Sequence, residues 1–161
     1  MITRCYLKRI LHYEARSGLW HWVCPTGKRV RVGDRAGFIS KTGGYRYIRI
    51  HHKAYPESKL AVLYMTGRWP KHLVDHKNNK RADNRWGNLR KATYTQNNRN
   101  SKAKPNPTGF KGVSRHGSGF RMQIRVSKKR LYTYGFSTAK AAHLAYVRAA
   151  KKHFGEFAHA G

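Results

Sequence analysis

The sequence predicts an α+β protein of two modules, and three observations carry that prediction. Residues 100–109, NSKAKPNPTG, contain two prolines and little apolar content, so they read as a linker. Ahead of it, aromatic and β-branched segments alternate with short apolar stretches of helical character. Behind it, a strictly alternating strand pattern is followed by an alanine-rich helical pattern. The expected division is a first module over 1–101, a linker over 102–108 and a second module over 109–161.

In chain order, RCYLKRILHY (4–13) predicts a short helix with Leu7, Ile10 and Leu11 on one side. GLWHWVC and GGYRYIRIHH predict strands, with PTGK and Gly43-Gly44 as turn signals. SKLAVLYMTGRWP predicts an apolar helix stopped by Gly67 and Pro70. Leu73-Val74 reads as buried strand, and Thr93 to Gln96 matches a capping box that opens a helix carrying Asn97. In GFRMQIRV (119–126), Phe120, Met122, Ile124 and Val126 fall on one face and Arg121, Gln123 and Arg125 on the other. KRLYTYGF predicts a further strand. STAKAAHLAYVRAAKKHFG predicts a helix with Ser137 or Thr138 as N-cap, Lys151 and Lys152 at the negative end of its dipole, and Gly155 past its end. Its six alanines between 139 and 150 allow close approach to a sheet.

Charge bounds the partners. Lys and Arg number 35 against 6 Asp and Glu, a net charge of +29. Such a balance calls for a dense polyanion, and nucleic acid fits best because each neutralised phosphate releases counterions. The charge is no tail: residues 109–161 hold eleven Lys or Arg, about a third of the basic residues in a third of the chain. A membrane partner is not expected, since no run of about 18 apolar residues exists. The N-terminus lacks the pattern of a secretory signal, so a cytoplasmic protein is expected. Cys5 and Cys24 are too few for a disulfide framework. With His12 and His21 they offer a zinc alternative, but without a C-x-x-C pair ordinary packing is the stronger reading.

With six acids in the chain, each is informative. Asp75 ends an apolar run beside His76, within a stretch (74–100) that holds seven asparagines. A turn-rich solvated loop is one reading of that composition. The other is a phosphodiester-hydrolysing site. Asp75 and Asn97 then supply oxygens to a hard cation, and His76 takes the proton from water, with cationic surroundings favouring its neutral form. Asn88 is expected to hold the ring or backbone of His76 by a hydrogen bond. Asn97 and Asn98 differ by about 100° around a helix, so only one faces Asp75. Lys80, Arg81, Arg85, Arg90 and Arg99 are expected to hold phosphates, with a solvated face as the even alternative for each.

The pattern DH-x11-N-L-R-x-x-T-x-x-x-N resembles the HNH nucleases, specifically the phage and intron-encoded homing type. Asp75, His76, Asn78, Lys80, Asp83-Asn84-Arg85, Asn88-Leu89-Arg90, Thr93, Gln96-Asn97 and Asn100 carry the likeness, with a core motif over 72–101 and wider similarity over roughly 5–101. The resemblance implies a ββα-metal fold in which His76 is the general base, Asp75 and Asn97 bind a single Mg²⁺ or Mn²⁺, and Asn88 is the structural asparagine. Two positions depart from the family pattern: Ser58-Lys59-Leu60 stands where relatives have His-Arg-Leu, and Lys77 stands where an apolar residue is common.

Residues 109–158 resemble the DNA-binding domain of plant ethylene-response factors (the APETALA type). The likeness lies in KGVSRHGSGFRMQIRV and YTYGFSTAKAAHLAYVRAAKKHFGEFA. It implies a three-stranded antiparallel sheet packed on one helix, with the sheet entering the major groove of double-stranded DNA. Arg121, Gln123 and Arg125, with Lys111, Arg115 and Arg130 joining them, are the expected reading face; Arg suits guanine and Gln suits adenine. The expected whole is a metal-dependent homing endonuclease, nicking or cutting both strands as a monomer on DNA. The alternative is a non-catalytic DNA-binding protein with a decayed nuclease core, against which all four of Asp75, His76, Asn88 and Asn97 are present.

Overall fold

A computed structural model describes residues 2–101, 105–127 and 129–159. The expected linker falls partly outside these, at 102–104. The chain divides into two compact units, Met1–Thr93 and Tyr94–Gly161. The helix carrying Asn97 therefore groups with the second unit, where the sequence places it at the end of the first.

In the first unit, α1 (Arg4–Ile10) is capped by Thr3, whose hydroxyl accepts from the Tyr6 amide at 3.2 Å. The expected helix over 4–13 stops early, because Leu11–Glu14 becomes strand β1 and pairs antiparallel with β2 (Leu19–Trp22). The segment Leu-His-Tyr-Glu is ambiguous by local pattern; pairing Tyr13 with Trp20 buries both rings and decides it. Strands β3 (Phe38–Ile39), β4 (Arg46–Ile50) and β5 (Lys53–Pro56) form a meander. It leads into α2 (Glu57–Thr66), which ends on Gly67 at φ +76°, a left-handed cap that a side chain would strain. Strands β6 (Leu73–His76) and β7 (Leu89–Ala92) pair antiparallel, joined by a long loop that ends in a 3-10 turn, Trp86–Asn88.

One apolar cluster joins these pieces. Leu7, Leu11, Trp20, Ile48, Ile50, Leu60 and Leu63 are each no more than 2% exposed. Tyr13, Trp20 and Tyr64 pack ring against ring, with centroids 4.6 to 5.8 Å apart. The Tyr13 hydroxyl leaves this cluster to donate to the Asn84 carbonyl at 2.6 Å. The Trp86 amide donates to the Ala15 carbonyl at 2.9 Å. These two bonds fasten the β6–β7 loop to the β1–β2 hairpin.

In the second unit, α3 (Tyr94–Asn100) precedes β8 (Val113–His116), β9 (Gly119–Val126) and β10 (Lys129–Phe136), an antiparallel sheet in the order β10-β9-β8. Helix α4 (Ala139–Phe154) is capped by Thr138, which accepts from the Ala141 amide at 3.1 Å. Its Ala142, Tyr146 and Ala150 are buried, and Tyr146 and Ala150 join Met122 and Ile124 in the core. Gly112, at φ +73°, lies against the Tyr146 ring where any side chain would overlap it. Among the described residues no helix is long and apolar enough to cross a membrane.

Candidate active site

Asp75 and His76 are the last two residues of β6 and are 5% and 4% exposed. Their strand partners are Arg90 and Leu89. Arg90 Nε donates to Asp75 Oδ2 at 2.8 Å, and both side chains are buried. Arg90, expected to hold a phosphate, directs its Nε to Asp75 and so orients that carboxylate. A carboxylate has two oxygens and about four lone-pair sites, so this bond does not exhaust Asp75 as a donor to a cation.

His76 lies on a buried polar chain. Its Nε2 is 3.1 Å from Asn84 Oδ1. Asn84 Nδ2 donates to Glu57 Oε2 at 2.9 Å, and Arg46 Nε donates to Glu57 Oε1 at 2.9 Å. Burial lowers the His76 pKa first of all; the Asn84 hydrogen bond and the charges of Asp75 and Asp83 oppose this, and Arg81 assists it. The neutral imidazole is favoured, as the sequence predicts, but desolvation outweighs the cationic surroundings as the cause. Burial also raises the Glu57 pKa, while Arg46 pulls it back. Tyr45 packs near the His76 ring at 5.9 Å and carries Arg81 over its face at 5.0 Å.

Asn88 is a loop brace rather than a partner of the imidazole. Its Oδ1 accepts from the Asn78 amide at 3.1 Å, and its Nδ2 donates to Asn78 Oδ1 at 3.0 Å and to the Asp83 carbonyl at 2.8 Å. Its own carbonyl accepts from the Lys77 amide at 2.9 Å, so it holds the backbone next to His76. Asp83 accepts both arms of Arg85, at 2.8 and 2.6 Å, and one bond from Asn78 at 2.7 Å. The Arg85 pair holds the Asp83 carboxyl well below the usual carboxylate range.

The remaining predicted cations divide by what already engages them. Arg81 donates to the Gly43 carbonyl at 3.0 Å. Lys80 is exposed. In the second unit, Asn97 lies half-buried on α3 and Arg99 covers the Phe154 ring at 4.4 Å. Lys111 is already engaged: its ammonium donates to the Arg99 and Ser101 carbonyls at 2.9 and 2.6 Å, closing the end of α3, and burial lowers its pKa. Arg115 departs from the expected face. It pairs with Phe120, on the opposite face from Arg121, and its guanidinium sits over the Phe120 ring at 5.5 Å.

The register does bring Arg121, Gln123, Arg125 and Arg130 to one face of the sheet. Arg125 pairs with Arg130, Gln123 with Tyr132 and Arg121 with Ser114. Arg121 donates to Ser114 Oγ at 2.9 Å and lies over Tyr132 at 5.1 Å. Tyr132 also stacks with Tyr134, at 6.0 Å, giving this face an exposed aromatic strip. Sequence reading misses these tyrosines, although alternation in LYTY places both on one side.

It also misses Glu57, Asn84 and Arg46. Asn84 looks like a turn residue by composition. Glu57 is one of only six acids, the signal that singles out Asp75. Among the described residues no group of three or more His, Cys, Asp and Glu could hold a metal ion, and Cys5 and Cys24 are exposed.

With this geometry in view, residues 58–99 match the family described as HNH endonuclease, a segment that runs from the first turn of α2 into α3. No curated protein and no solved structure matches the chain.

Proposed function

We propose that the protein is a metal-dependent DNA endonuclease of the HNH homing type, with an ethylene-response-factor-like second unit that reads its target. The observation that carries the reading is a buried, hydrogen-bonded histidine kept neutral beside a buried aspartate, within the segment that matches the nuclease family.

The donor chemistry fits a hard divalent cation. Asp75 offers a carboxylate held in orientation by Arg90, and carboxylate oxygen is a ligand that hard cations prefer. Asp75, with Asn97 nominated by its spacing in the motif, would hold Mg²⁺ or Mn²⁺. The bound cation would supply charge stabilisation at the phosphate and help for the departing 3′-oxygen. The chain's own residues do the rest. His76 accepts the proton from the attacking water, which its neutral form permits. Asn88 keeps the loop that follows His76 in register, and Arg90 keeps Asp75 in place.

In the second unit, Arg121, Gln123, Arg125 and Arg130 meet the edges of bases and phosphates, and Tyr132 adds a flat apolar surface. The ββα-metal arrangement, a monomer on DNA, and a setting in a phage-borne mobile element belong to the same reading. The rival, a DNA-binding protein that no longer cuts, predicts tight binding without cleavage. Incubating the protein with genomic DNA and Mg²⁺ or Mn²⁺, with and without chelator, decides between them. Chelator-sensitive cuts at discrete positions are expected; intact DNA under all conditions favours the rival.

A further inference from the structure

His76 does not end the polar chain it belongs to, and the far end of that chain is chemically asymmetric. Glu57 is 1% exposed and Asn84 is 2% exposed. The two oxygens of Glu57 are divided, Oε1 to Arg46 and Oε2 to Asn84. The Arg46 side chain is only 10% exposed, so a neutral Glu57 would leave a buried guanidinium without its counter-charge; the pair is ionised. An ionised carboxylate only accepts hydrogen bonds, so the side of Asn84 that meets it must be the donating Nδ2. Turning the amide over would set Oδ1 against Oε2, two buried acceptors face to face. Oδ1 must therefore face the imidazole, and the ring nitrogen it meets, Nε2, must carry hydrogen.

We propose that Glu57 and Asn84 are positioning residues for His76: one oriented amide fixes the imidazole as the Nε2–H tautomer and puts the basic lone pair of the neutral ring on Nδ1.

The surroundings are shaped for this chain. Gly18, at φ +75°, passes so close to the Asn84–Arg85 peptide that a side chain there would overlap it. Gly37, at φ +95°, does the same beside Glu57 Oε1. The Tyr13 hydroxyl holds the Asn84 carbonyl, so the Asn84 backbone is fixed while its side chain bridges Glu57 and His76. A role confined to stability would require these groups to be bonded, but it would be indifferent to which ring nitrogen carries the proton.

The tautomer follows from the hydrogen bonds alone; its consequence for cleavage rests on the reading of His76 as general base. Glu57→Gln separates the two. Arg46 can only donate, so the introduced side chain must give it the amide oxygen and turn its NH₂ toward Asn84. Asn84 then turns over, offers Nδ2 to the ring, and His76 becomes the Nδ1–H tautomer. Long-range ¹H–¹⁵N correlation spectra of the histidine-labelled full chain, without DNA or metal and at a pH where His76 is neutral, report the tautomer directly. The wild type is expected as Nε2–H and Glu57→Gln as Nδ1–H. Cleavage by the variant should fall by at least about tenfold with DNA affinity unchanged. Asn84→Ala, which removes the amide, should give a mixture of tautomers, and it serves if Glu57→Gln does not fold. A folded Glu57→Gln or Asn84→Ala protein that keeps the pure Nε2–H form overturns the proposal. If the tautomers behave as expected but wild type cuts no DNA, the positioning stands and the nuclease reading alone falls.

Discussion

The two units use polar side chains in opposite ways. In the first, Glu57, Asp75, His76 and Asn84 are all buried, and they are joined to one another or to arginine by hydrogen bonds of fixed direction. In the second, Arg125 and Arg130 face each other across β9 and β10 and are exposed. A buried network can set the direction of a lone pair to within a bond. An exposed cationic face sets a potential and adapts to whatever phosphate arrives. The contrast teaches that the two units should fail differently: damage to the first should cost rate, and damage to the second should cost affinity.

The largest expected effect tests the first half of that statement. His76→Ala should lower cleavage by about 10²- to 10⁴-fold, the usual contribution of a general base. Binding to target DNA, measured by fluorescence anisotropy, should stay within about twofold. A variant that cuts like wild type would remove the nuclease reading at its centre.

Asn88→Ala should come next. It breaks the bonds to the Asn78 amide, Asn78 Oδ1 and the Asp83 carbonyl. A loss of about 1–3 kcal/mol in stability is expected, with a lower cleavage rate and undisturbed binding. If binding falls as much as rate, the loop itself touches DNA and the contrast between the units blurs.

The second half of the contrast is tested by replacing Arg125 and Arg130 together with alanine. Affinity should weaken, and the log–log salt slope should become shallower by about two, near one for each phosphate that the variant no longer neutralises. The single-turnover rate on saturated DNA should not change. For scale, ten neutralised phosphates in the wild type would give a slope of about −9. The parallel substitution of Arg115, which lies over Phe120 away from Arg121, should leave the slope unaltered.

The same contrast explains what is legible in the sequence. The β9 alternation is local, so Arg121, Gln123 and Arg125 can be assigned to a face from eight consecutive residues. Asp75 and His76 are legible because they are adjacent and because acids are rare here. Which asparagine meets the imidazole is not: Asn84 and Asn88 are both in the loop, and only the path of the chain over Tyr13 and Gly18 turns Asn84 inward. Glu57 lies 27 positions from Asn84, and their bond exists only once α2 and the loop are packed. Strand β1 reads as helix because Leu11 continues the helical spacing of Leu7 and Ile10, while Leu11 and Tyr13 equally suit a strand until the pairing partner is known. The partners of Lys111 and Arg90 are equally illegible, because composition reports charge and says nothing of which carbonyl or carboxylate engages it.

The smallest expected effect concerns Asp83, whose position lies between the two regimes: its partner Arg85 is 56% exposed, while Asp83 itself is 14% exposed. Arg85 lowers the Asp83 pKa in the folded protein below its unfolded value. The sign follows from linkage. The contribution to stability is present above the unfolded value of about 3.9 and is lost as pH falls through the folded one. The melting temperature of wild type should therefore drop further between neutral pH and about pH 3 than that of Asp83→Asn, which has no charge there to lose. The Asp75–Arg90 pair is common to both proteins, so the difference between them isolates Asp83. Because Arg85 is largely solvated, about 1 M salt should shrink that difference. A difference that survives high salt would mean that the loop shields this pair as thoroughly as it shields His76, and that burial rather than exposure governs the whole β6–β7 loop.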